Sequence, residues 1–109
     1  MKTYNVFYTV KDGVDEYRVL RLTHEFAELL LNDKLIESAA VHKVANQGNF
    51  EEMPNYHMAV NFRDQRQMDD AFKIIRDRYM VQPPHSELMS SVTEFKVTFT
   101  ERTESREYM

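Results

Sequence analysis

The chain of 109 residues has no cysteine and no tryptophan, only two glycines and three prolines, and no apolar run near the length of a membrane span. Each absence closes off a class of protein. Without cysteine there is no thiol nucleophile, no zinc-thiolate site and no disulfide scaffold, a usage that fits a reducing cytosol. With only Gly13 and Gly48, a glycine-rich phosphate loop has no sequence to form from. A membrane helix needs roughly 20 consecutive apolar residues. The opening "MKTYNVFYTVKDG" is instead broken by Asn, Thr and Lys, so no signal-peptide core is read there. These readings predict a soluble cytoplasmic protein with no membrane contact. Fourteen basic against eighteen acidic residues give a net charge of -4, which argues against a broad nucleic-acid interface.

What is present is core material. Apolar residues make up 42% of the chain, including six tyrosines and seven phenylalanines, enough for one packed core without a metal staple. The periodicity predicts one domain over residues 1–101 and a polar tail over 102–109. "TYNVFYTVK" (3–11) alternates Tyr4, Val6, Tyr8 and Val10 against Asn5, Phe7 and Thr9, then meets the turn signal Asp12-Gly13. From Asp15 to Asn32 the period becomes helical, with Val19, Leu22, Phe26, Leu29 and Leu30 on one stripe. "IESAAVHKVAN" (36–46) and "NYHMAVNFRD" (55–64) read as strands around a loop holding Gly48 and Pro54. Asp64 followed by Gln67 marks a capping box, opening a second helix that runs to Tyr79 with Met68, Ala71, Phe72 and Ile75 inward. Pro83 and Pro84 break the chain, and "SVTEFKVTFTER" gives a fourth strand with Phe95, Val97 and Phe99 on its apolar side.

The order β-α-β-β-α-β predicts an α+β, ferredoxin-like domain: a four-stranded antiparallel sheet with two helices on one face. The other face is left open. It should carry Asn5, Phe7 and Thr9, then His57, Ala59 and Asn61, then Glu94, Lys96 and Thr98, joined by Ser38, Ala40 and His42 if the second strand runs without a bulge. Two kinds of cover compete for this face. RNA-recognition domains of this topology stack bases there on aromatics of the first and third strands. The stretch "YHMAVNF" lacks the glycines and basic opening of such a strand, and puts His57 and Ala59 where stacking rings belong, so no nucleic-acid partner is expected. The second possibility is another copy of the chain.

In order of elements and in length, nearly the whole chain resembles the dimeric α/β-barrel superfamily, in which two such sheets pack face to face. That superfamily includes antibiotic-biosynthesis monooxygenases, haem-degrading monooxygenases and stress-responsive A/B-barrel proteins. The run "YMVQPPH" (79–85) resembles the Tyr-x-x-His-Pro-x-His run of the stress-responsive group at Tyr79, Pro83 and His85, and departs from it at Gln82. In enzymes of that group the matching tyrosine and last histidine act with a histidine early in strand one, where this chain has Asn5. An imidazole there takes a proton from carbon beside a carbonyl while the phenol polarises the carbonyl. Asn5 also resembles an asparagine of the haem-degrading members, but their histidine on the second helix and their tryptophan have no counterpart here, so no haem or other cofactor is expected.

The resemblance implies a homodimer around a cavity for a small aromatic or polyketide-like molecule. Tyr79, His85 and His57 are the candidate catalytic residues, of cofactor-independent monooxygenase or cyclase type if the protein is an enzyme. Asn5, Phe7, His42, Asn61 and Lys96 are the candidate ligand-binding residues. His42 and His57 form a pair that lacks the third ligand of a metal site, and no metal is expected. The competing reading is a non-enzymatic dimerisation domain whose sheet interface is filled by side chains.

Overall fold

The computed structural model describes residues 1–103. It contains β1 (Lys2–Val10), α1 (Glu16–Asn32), β2 (Ser38–Lys43), β3 (Tyr56–Phe62), α2 (Gln65–Ile74), α3 (His85–Ser91) and β4 (Val92–Glu101). The four strands form one antiparallel sheet in the order β2-β3-β1-β4, the split βαβ arrangement with β1 and β3 central. The last six residues of the expected tail, 104–109, lie outside the described residues.

The helix ends follow from local chemistry. Asp15 caps α1 by accepting from the Tyr17 amide at 3.0 Å. Asp64 caps α2 by accepting from the Gln67 amide at 2.9 Å, while the Gln67 side chain reaches back to accept from the Arg63 amide at 2.6 Å. At the far end of α1 the Leu35 amide bonds the Leu30 carbonyl and the Lys34 amide bonds the Leu31 carbonyl. This Schellman pair requires a left-handed residue, and Lys34 supplies it at φ 59°.

Two elements depart from the sequence reading. The second helix is expected to run to Tyr79, but its α-helical part ends at Ile74 and Ile75–Tyr79 form a wider π turn, closed by the Met80 amide on the Ile75 carbonyl. The segment after Pro84, expected as a break, folds into α3, with Leu88 buried. Arg18 of α1 holds α3 from the side, its guanidinium 3.0 Å from Glu87. Asp33 anchors the π turn by accepting from the Tyr79 hydroxyl.

The core lies between the sheet and the helices. It is built from Val6 and Tyr8, from Tyr56, Met58, Val60 and Phe62, and from Val19, Leu22, Leu30 and Met68. Thr23, fully buried on α1, donates to the Val19 carbonyl at 2.9 Å and so accepts from the Tyr8 hydroxyl, also at 2.9 Å.

The phase of β4 is more complex than simple alternation. Phe7 faces Lys96 and Thr9 faces Thr93, so Glu94 and Phe95 together oppose the single residue Tyr8. This is a β-bulge, with Glu94 at φ 54° as its left-handed residue. It lets both Val92 and Phe95 point to the helix side, although their spacing of three would place them on opposite faces of a regular strand. Phe95, Val97 and Phe99 take that side as expected, yet they are not buried: they remain 44%, 41% and 59% exposed, because α1 and α2 cover the other three strands.

Candidate functional site

The residues picked out in the sequence fall on two sides of the sheet. Asn5, Phe7, His42, His57 and Asn61 share the open face, and the register β2 to β3 settles the phase of β2, pairing Ser38 with Asn61, Ala40 with Ala59 and His42 with His57. Lys96 joins them opposite Phe7. Tyr79 ends the π turn that follows α2 and His85 begins α3, both on the helix side. The structure therefore does not bring Tyr79 and His85 together with His57 in a single cavity of one protomer.

The open face is a bonded array. The His57 ring lies parallel to Phe7, with centroids 4.5 Å apart and planes at 10°, and also stacks on His42 at 5.6 Å. His57 Nε2 is 2.9 Å from Asn5 Oδ1. A carbonyl oxygen only accepts, so Nε2 carries the hydrogen, and the free lone pair of the neutral ring is on Nδ1. The Asn5 amide then donates onward to Thr100 at 3.0 Å. A second chain runs from Thr3 to Asn61 Oδ1 at 2.7 Å and from the Asn61 amide to Ser38 at 2.9 Å. Asn5 is buried at the centre of this array, 8% exposed. Burial of His57 holds its pKa below the ordinary imidazole value, and the neighbouring His42 charge pushes it the same way. Thr3, Ser38 and Thr100 complete the array. In the sequence they are unremarkable strand hydroxyls, and only the strand register shows them to be partners.

The helix side encloses an apolar cavity of about 80 Å³ between the sheet and the helices. Tyr4, Val6 and Tyr8 form its floor with Met58 and Val60, Phe26 and Leu30 line it from α1, the buried Leu88 lines it from α3, and His85, Met89 and Phe95 lie along its rim. Polar groups are few. His85 Nδ1 is 3.0 Å from the Met80 carbonyl and donates to it, which leaves Nε2 free as an acceptor in the neutral ring. Phe26 meets the His85 ring edge-on at 5.1 Å. Burial raises the Tyr4 phenol pKa and keeps it protonated. Tyr79 does not line this cavity; its hydroxyl is turned to Asp33, and that hydrogen bond raises its pKa. α3, which carries the cavity's rim, was hidden in the sequence by the two prolines before it. Pro84 at the start with Glu87 in the first turn is the signal that could have shown it.

Residues 1–102 match the family described as "Family of unknown function (DUF6614)". The chain belongs to that family. No curated protein matches the chain. Among solved structures it is similar to At3g17210 from Arabidopsis thaliana, with 14% identity over 98% of this chain and 100% of that one and a TM-score of 0.75. It is similar to SnoaB, a cofactor-independent oxygenase from Streptomyces nogalater, at 10% identity over 95% and 94% of the two chains, TM-score 0.67. A third is a dimeric ferredoxin-like protein of unknown function from Jannaschia, at 15% identity over 93% and 98%, TM-score 0.67. At such identities the likeness establishes the fold, which is the ferredoxin-like one expected from the order of elements.

Among the described residues no three His, Asp or Glu side chains converge as a metal site would require, and no helix is long and apolar enough to cross a membrane.

Proposed function

We propose that this protein is a homodimer, joined through the open faces of its two sheets, that holds a small single-ring aromatic molecule in the cavity on the helix side of each sheet. The observation that carries the ligand reading is the cavity itself. It is lined almost wholly by apolar side chains and opens past the exposed Met89 and Phe95, so an apolar ring can enter it and leave water behind. Its size selects the ligand. Benzene enters an apolar cavity of about 150 Å³, and most ligand pockets exceed roughly 300 Å³. One ring fits once His85, Met89 and Phe95 give way at the rim, whereas a polycyclic polyketide does not. His85 Nε2 would accept from a ring hydroxyl, which favours phenols over plain hydrocarbons.

Titration with p-cresol tests this, with toluene and 1-naphthol beside it. p-Cresol should raise the melting temperature saturably and more than toluene does, and the gain should vanish in Met89→Trp, where an indole at an already exposed rim position plugs the mouth. No saturable shift in the parent protein removes the ligand reading.

A second reading, assembly without a ligand, draws on the open face. Its Asn5 and His57 are already bonded to each other, and its Asn61 to Thr3 and Ser38, so they ask little of a guest. The fold shared with a cofactor-independent oxygenase does not transfer that chemistry, since function resides in the site rather than the fold.

A further inference from the structure

We propose that the open sheet face is an acid-sensitive contact: the dimer forms while His42 and His57 are neutral and comes apart when they are protonated. The inference rests on the dimer reading above, and names what regulates that contact.

The geometry has three parts. First, the two imidazoles are stacked with centroids 5.6 Å apart, so two positive charges there would repel each other at close range. Second, the groups around them give little compensation. β1 presents Asn5 and Phe7, β3 presents Ala59 and Asn61, and β4 presents the cation of Lys96 across from Phe7. The carboxylates of Glu94 and Glu52 line a hollow with Thr9 and Lys96 at one end of the face, and neither forms an ion pair with either histidine among the described residues. Third, a two-fold dimer brings the same patch from each copy, so four imidazoles and two lysines share one interface. The stacked Phe7 ring offers an imidazolium some cation–π attraction, but the net effect of burial and of His42 on His57 already favours the neutral form within one chain.

The sign follows from linkage. His57 binds its proton less readily in the folded protein than in the unfolded chain, so its contribution to stability is complete above about 6.5. It is lost as pH falls through that value toward the lower folded one. Docking a second sheet removes more water and extends the same argument to association.

Sedimentation velocity at pH 8.0, 7.0, 6.0 and 5.0, with circular dichroism at each pH, tests the proposal. The dissociation constant should rise at least tenfold between pH 7.0 and 5.0 while the far-ultraviolet spectrum stays unchanged. The variants His42→Asn and His57→Gln, the second able to keep the hydrogen bond to Asn5, should each flatten that rise. A dimer whose constant does not change with pH overturns the acid-sensitive contact and leaves the dimer standing, and so does a rise that both variants retain. A protein that is monomeric at pH 8.0 overturns the dimer reading and this proposal with it.

Discussion

Thr23 has no exposed surface, yet its side chain is polar and sits in the middle of the longest helix. It is tolerated because both of its hydrogen-bonding capacities are used: the hydroxyl donates back to the Val19 carbonyl and accepts from Tyr8. Thr23→Val keeps the shape and removes the acceptor, which strands the Tyr8 hydroxyl in the core. The expected cost is about 1–3 kcal/mol, read from urea denaturation midpoints. Tyr8→Phe alone should cost less, because Thr23 retains its carbonyl partner. Adding Tyr8→Phe to Thr23→Val should recover much of the loss, since no polar group is then left unpaired. Strictly additive losses would show that the two hydroxyls do not act as a pair. Part of this was legible in the sequence. Tyr8 falls on the inward face by simple alternation and Thr23 falls on the inward stripe of α1, four residues after Val19, but nothing in its type announces full burial.

At the level of elements, the patterns read well wherever a period holds and poorly wherever the chain breaks its period. α1, the start of α2 and all four strands follow from spacing and capping residues. The β4 bulge does not, because Glu94 and Phe95 look like one more step of a polar-apolar alternation; the extra residue shows only in the register against β1. The end of α1 is similar. A Schellman turn is usually announced by glycine, and here the left-handed position belongs to Lys34. A β-carbon in that conformation costs roughly 1 kcal/mol. Lys34→Gly should therefore stabilise the protein by about 0.5–1 kcal/mol, seen as a rise of several degrees in Tm for a domain of this size. Lys34→Val should destabilise it, because a β-branched side chain fits the left-handed region worse still. A glycine variant that melts lower than the parent would mean that the Lys34 side chain contributes more than its backbone strain.

For the whole molecule the question is what covers the open side of the sheet. The candidate site was legible in part: alternation placed Asn5, Phe7, His57 and Asn61 on one face, and the strand register confirms the grouping. The likeness of residues 79–85 to a catalytic run drew Tyr79 and His85 toward the same cavity, but they lie across the sheet, because α2 and α3 pack on its other side. Sequence spacing carries no information about which layer a loop joins. At the centre of the open face Ala59 pairs with Asn5 on one side and Ala40 on the other, so the middle of the face is low and a second sheet can approach it closely. Four strands about 4.8 Å apart and on average about 27 Å long present roughly 500 Å² of flat area. A standard interface takes about 800 Å² of accessible surface from each partner. The contact must then use nearly all of the face, and its low centre cannot be spared. Ala59→Arg puts a long cation there, beside Lys96 and the two histidines, without touching the core side of β3. The parent should sediment at twice its 13.0 kDa mass at pH 8.0, and the arginine variant at the single mass with its strand content and melting transition kept. If the variant still dimerises with unchanged affinity, the sheets do not meet through this face, and the exposed side of β4, with Phe95, Val97 and Phe99, becomes the surface through which copies associate.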